Sequence, residues 1–116
     1  MESNYYKSRL KDMENYQDKD YKYSEDKSLA EITAYIDETY SQHYSQNKFQ
    51  ATEFIIDSGL GTGFCMGNVM KYAQRYGKKG TPEDWRKDLL KVIHYAIMQL
   101  HVHDLENGKV DNGNQN

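Results

Sequence analysis

The chain has one cysteine, Cys65, among its 116 residues. That excludes an internal disulfide and any zinc site built from cysteines. There is no apolar run long enough to span a membrane and no signal-peptide pattern, so the sequence reads as a cytosolic protein. No Gly-x-x-x-x-Gly-Lys-Ser/Thr segment occurs, so there is no P-loop. No paired Glu-x-x-Glu or Glu-x-x-Asp occurs either, which weighs against metal-dependent nucleotide hydrolysis on helices. No internal repeat is visible. At this length the ceiling is one domain with one modest core.

What is present is polar and unevenly placed. Mean hydropathy is -1.02, and 28% of residues are charged. Residues 1–28 contain Leu10 and two methionines but no Val, Ile or Phe, whereas 29–105 hold nearly every aliphatic side chain. This predicts a flexible or loosely docked N-terminal arm over 1–28, a core domain over 29–105 and a flexible tail over 106–116. Net charge is -3 overall. Residues 1–39 hold six Lys/Arg against ten Asp/Glu, and 62–93 hold seven against three. The asymmetry fits either an acidic arm screening a basic site or ordinary solvated surface.

The core reads as all-α, a small bundle or open array of about four helices. Ser28 and Glu31 have capping-box spacing, so a first helix is predicted from Leu29 to Tyr40 or Tyr44, with Ile32 and Ile36 inward. A short second helix is predicted over 49–57 on Phe54, Ile55 and Ile56. Gly59-Leu60-Gly61-Thr62-Gly63 then reads as a break, either a flexible connector or a place where free amides could hold a phosphate. A third helix ends at Gly77 and Gly80. Thr81-Pro82-Glu83-Asp84 is a strong helix start. Trp85, Leu89, Val92, Ile93, Ala96, Ile97 and Leu100 are predicted to be the buried face of the long last helix.

The third helix has two faces. Cys65, Val69, Tyr72, Ala73 and Tyr76 form an apolar stripe at helical spacing. Asn68, Lys71, Arg75 and Lys78 form a second row with no acid to offset it. Like charges three or four residues apart cost a few tenths of a kcal/mol per pair. The row therefore reads as either a solvated face or a clamp for an anion, phosphate above all. Gly67 reads as a site of close helix packing, and Asn68 as satisfying a backbone group or binding ligand. Lys91, one turn after Lys87, reads by default as surface. Cys65 reads as a small core residue. His94, His101 and His103 lack the i, i+4 spacing of a metal pair.

His43-Tyr44, Glu53-Phe54-Ile55, Gly67-Asn68-Val69-Met70-Lys71-Tyr72 with Arg75, Lys78-Lys79, and Asp88-Leu89-Leu90-Lys91 with Tyr95 follow in a distinctive order. Over about residues 42–100 this resembles the SaV-like family of small bacteriophage proteins. A domain of that family also occurs in a podophage nucleotide kinase that converts deoxynucleoside monophosphates to diphosphates without a P-loop. The resemblance implies a phage protein of the host cytoplasm that binds a nucleotide or related phosphorylated ligand. On that reading His43, Tyr44, Asn68, Lys71, Tyr72, Arg75, Lys78, Lys79, Lys91 and Tyr95 contact the ligand. Phosphoryl transfer requires positioning and positive charge rather than covalent chemistry. A kinase-like version would use Arg75 and Lys71 as the clamp, with Glu53 or Asp88 holding Mg2+ or orienting the acceptor. Magnesium would come with the nucleotide, and the chain offers no metal site of its own.

A chain this short is not expected to enclose two nucleotides alone, so a homo-oligomer sharing its site between subunits is expected. The arm supports a different class of function. Tyr5, Tyr6, Tyr16, Tyr21 and Tyr23 alternate with Lys and Asp, a composition that can order on a partner surface. The alternative is thus a non-enzymatic phage protein that inhibits a host defence protein or sequesters a host signalling nucleotide. Nucleic-acid binding is not expected: the basic strip is short, and the net charge is negative.

Overall fold

The computed structural model describes residues 20–42 and 45–108. His43, Tyr44, most of the arm (with Tyr5, Tyr6 and Tyr16) and the tail from 109 lie outside the described residues. The described part is helical, and no strand occurs in it: α1 Glu25–Ser41, α2 Ser45–Ile55, a kinked turn Ile56–Leu60, α3 Gly61–Arg75 and α4 Pro82–Glu106.

Three boundaries differ from the sequence reading. First, α1 starts at Glu25, inside the stretch assigned to the arm, and its N-cap is Ser24 with a left-handed φ of 57° and no side-chain cap. Ser28 and Glu31 make no capping box, because Ser28 lies inside the helix and its amide donates to the Ser24 carbonyl at 3.0 Å; the Glu31 carboxylate instead forms a forked ion pair with Arg86 of α4. Second, Gly59–Gly63 is not a loop. Gly59 (φ 85°) and Leu60 (φ -105°, ψ 12°) leave helical geometry, and the helix resumes at Gly61. The Ser58 hydroxyl donates to the Phe54 carbonyl at 2.7 Å beside this kink. α2 and α3 therefore form one kinked body, and the described chain has three helical bodies, not four separate helices. The amides at Gly61 open into no loop, so neither the flexible connector nor its alternative, a phosphate cradle, is formed there. Third, α3 ends at Arg75 and Gly77 turns the chain at φ 81°, so Lys78 leaves the helical row of Asn68, Lys71 and Arg75. The start of α4 is as predicted: the Thr81 hydroxyl accepts from the Asp84 amide and the Asp84 carboxylate accepts from the Thr81 amide.

Packing centres on an antiparallel hairpin of α3 and α4, with α1 against α4 and α2 meeting both α1 and α3. Gly61 permits the closest approach. A Cβ there would sit 3.1 and 3.2 Å from the two Val102 methyls and 3.3 Å from Ile56. Val102 and Cys65 are fully buried in this seam.

The buried face of α4 is not the one that its hydrophobicity suggests. Asp88 and Val102 are its buried residues, whereas Leu89, Ile93, Ile97 and Leu100 are all exposed. The helix has turned its most apolar stripe away from α3, because the aromatic and ionic contacts described below set its rotation. On α2, Phe54 is likewise exposed.

Two glycines predict opposite outcomes. Gly61→Ala should lower stability, since overpacking a closed seam costs about 1–3 kcal/mol and exceeds the helix-propensity gain of about 1 kcal/mol. A methyl on Gly67 would meet nothing within 4 Å, so this glycine serves no close packing. Gly67→Ala should raise stability by about 0.5–1 kcal/mol. Urea unfolding of the two variants checks both signs.

Candidate functional site

The site begins with a buried acid. Asp88 lies in the second turn of α4, only 2% exposed, where an unpaired carboxylate would be strongly disfavoured. Arg75, the last residue of α3, answers it: Nη2 lies 3.1 Å from Oδ1 and Nε 3.5 Å from Oδ2. One edge of the guanidinium is thereby fixed, and the rest of this partly exposed group faces outward.

It faces a basin of about 250 Å³ lined by Arg75, Lys79, Gly80, Asp84, Lys87, Asp88 and Lys91. Four cations surround two acids, and both acids are engaged. Asp88 holds Arg75, and hydrogen bonds from Thr81 hold the Asp84 carboxyl below its usual range. With four cations against two carboxylates the basin is net positive, the Asp84 charge being felt by Lys87 and Arg75 while Lys79, Lys91 and the outer edge of Arg75 face the open space.

Beside it stands Tyr72. Lys71 Nζ, Arg75 Cζ and Lys91 Nζ lie 5.0, 5.3 and 4.9 Å from its ring centroid, all within cation–π range. The Tyr72 ring lies parallel to Tyr95, at 6.0 Å and 7°, and Phe64 meets Tyr95 edge-on at 5.8 Å. Behind these rings lies a second cavity of about 100 Å³, walled by Tyr35, Lys48, Thr52, His94, Tyr95 and Met98 among others. Tyr72 and Lys91 line this cavity as well, and Lys91 borders both spaces. Burial, helped by neighbouring Tyr72, Tyr35 and Cys65, raises the Tyr95 phenol above its ordinary range, so it stays protonated. Burial, and then the charge of Lys48, push the His94 imidazole below its ordinary 6.5.

The residues singled out from sequence separate into two groups. Lys71, Tyr72, Arg75, Lys79, Asp88, Lys91 and Tyr95 come together here. Asn68 sits on the same helix but its amide Nδ2 donates to the Phe64 carbonyl at 2.9 Å, so the backbone claims part of it. Lys78 does not line the basin. Glu53 lies in a separate apolar groove with Ile36, Tyr40, Phe49 and Ile97, away from Arg75 and Asp88. Sequence reasoning misses Lys87 as a site residue. Its spacing of four before Lys91 is the available signal, but an i, i+4 pair of lysines reads equally well as solvated surface. It also misses Lys48, Tyr35 and His94, which come from three different helices, α2, α1 and α4, and meet only at the cavity wall. Among the described residues no group of three His, Cys, Asp or Glu is placed to hold a metal ion, and no helix is long and apolar enough to cross a membrane.

His94 gives a pH dependence with a definite sign. Above about pH 6.5 it is neutral in both folded and unfolded chains. As pH falls through that value the unfolded chain takes up a proton and the folded one does not, so stability should decline until the lower folded pKa is passed. His94→Gln should flatten this slope between about pH 7 and pH 5, measured by chemical denaturation.

A family model described as a protein of unknown function, DUF3310, matches residues 38–97, just over half of the chain. The matched span contains every residue that lines the basin. No curated protein and no solved structure matches the chain.

Proposed function

This chain belongs to the DUF3310 family, and we propose that it binds a nucleotide or a related phosphorylated aromatic ligand. The observation that carries the reading is the adjacency of the two spaces through Lys91 and Tyr72. One is cationic and suits phosphate; the other is walled by aromatic rings and suits the edge or face of a planar group. Arg75, held by Asp88, would present its fork to phosphate oxygens, and Lys79, Lys87 and Lys91 would act as point charges. Tyr72, already polarised by three cations, offers a stacking face at the boundary.

Binding is supported better than catalysis. The two carboxylates in the basin are engaged by Arg75 and Thr81, and Glu53 is elsewhere, so these side chains do not build a magnesium site. A magnesium ion would arrive on the phosphates of the ligand. The resemblance to SaV-like phage proteins supports nucleotide as the ligand class and keeps a nucleoside monophosphate kinase-like activity as the finer reading. The runner-up, a phage protein that sequesters a host signalling nucleotide without turnover, uses the same basin and differs only in having no acceptor to phosphorylate.

A thermal-shift screen against nucleoside mono-, di- and triphosphates and cyclic dinucleotides, with and without magnesium, tests the site. Ligand at about 100 times its dissociation constant should add about 2.7 kcal/mol, a shift of several degrees. Lys91→Ala and Lys87→Ala, both away from the buried seam, should each weaken binding about fivefold or more. Asp88→Asn should lower stability yet strengthen binding, because Arg75 then gives its full charge to the ligand. Equal affinity in wild type and Asp88→Asn would show that the basin is not the phosphate site. Product analysis of any nucleotide that binds then separates turnover from sequestration.

A further inference from the structure

Among the described residues, two apolar rows lie outside the core. On α3 and its C-cap, Thr62, Met66, Val69, Ala73 and Tyr76 recur at alternating spacings of four and three. On α4, Trp85, Leu89, Val92, Ala96 and Gln99 do the same. The Tyr76–Trp85 ring contact ties one end of the two rows, and the hydrogen bond from Gln99 to the Thr62 hydroxyl ties the other. The rows therefore lie side by side on one face of the hairpin, with Ile93 and Leu100 extending it outward. Neither row contains a charged residue, in a chain that is 28% charged. Met66, Leu89, Ile93 and Leu100 are 43%, 42%, 38% and 64% exposed.

We propose that this face docks a second copy of the same chain, so that two α3–α4 hairpins close into a four-helix bundle about a two-fold axis. The monomer itself argues for it. Among the described residues only Ile32, Cys65 and Val102 are buried apolar side chains, and a small domain with so thin a core is commonly stabilised by association. A two-fold axis sets like against like. A face without charge meets itself at no electrostatic penalty, and it offers nothing to a partner recognised by charge. The extent is also adequate. About fourteen residues of helix at about 1.5 Å per residue, two helices wide at about 10 Å each, give about 400 Å² per protomer in projection. Side-chain relief brings the total near the roughly 1,000 Å² that a specific interface requires. The other apolar groove, below α1 and α2, is a poorer match to a second copy because Glu53, His94 and His101 line it.

The arrangement leaves the basin free. At about 100° per residue, Lys91 lies about 160° round α4 from Leu89. Each protomer keeps its own ligand site on the outside of the bundle, and the dimer does not build a shared one. Dimerisation through this face is thus independent of what the basin binds.

Sedimentation of the full chain from about 1 to about 100 µM should show a reversible monomer–dimer equilibrium, as an interface of this size implies. Leu89→Glu should sediment as a monomer with an unchanged helical circular dichroism spectrum. Should that variant unfold, the wild type decides: peroxide oxidation of Met66 should slow as concentration rises, while labelling of Tyr40 stays constant. A wild type that remains monomeric throughout overturns the inference and leaves the face to a protein of another sequence. So does a folded Leu89→Glu that still dimerises, or a dimer in which Met66 is no better protected.

Discussion

The carboxylate of Asp88 is the constraint from which the rest of this structure follows. It stands on the side of α4 that α3 covers, where it tolerates burial only with a cation in reach. Arg75 meets that demand from the last position of α3, and the pair fixes both the rotation of α4 and its depth against its neighbour. With that rotation set, Tyr95 lies over Tyr72, Gln99 reaches Thr62, and Val102 fills the space above Gly61. Replacing a buried ion pair by apolar side chains is often no loss in stability. Its place here is better understood through what it aligns, since the same guanidinium that closes the seam also borders the cationic basin.

That pair also explains where a reading of the sequence succeeds and where it stops. Local rules carry far. Thr81, Pro82 and Asp84 specify a helix start through contacts within four residues, and the structure has that start. Ser28 and Glu31 have the same spacing but cap nothing, because the helix starts earlier, at Glu25, and Glu31 is left to pair with Arg86, 55 positions away. The glycines of 59–63 read as a break from composition, yet only Gly59 and Leu60 depart from helix. The basic row on α3 is legible as far as Arg75 and misplaced at Lys78, since a turn rather than a helical register carries that side chain. Lys87 and His94 cannot be assigned from spacing, for their significance depends on which helix lies opposite.

The rotation of α4 is the largest departure and has the clearest cause. Periodicity locates an apolar stripe but does not say what will cover it. Within one chain α3 covers the stripe that carries the ion pair, which leaves Leu89, Ile93 and Leu100 on the outside. A helix whose apolar arc is too wide for one neighbour needs a second, and the sequence alone does not say whether that neighbour is cis or trans.

The kink at Ile56–Leu60 has one more consequence. An α-helix advances its side chains by about 100° per residue, so a break in helical geometry such as the one at Gly59 (φ 85°) changes both direction and phase between the segments on either side. Lys48 and Thr52, before the kink, and Tyr72, after it, line one cavity. The turn thus behaves as a phase coupler between two stretches of sequence that can each change on their own, provided their angular offset is kept. Length between residues 55 and 61 is for this reason a stricter requirement than the identity of most side chains within it.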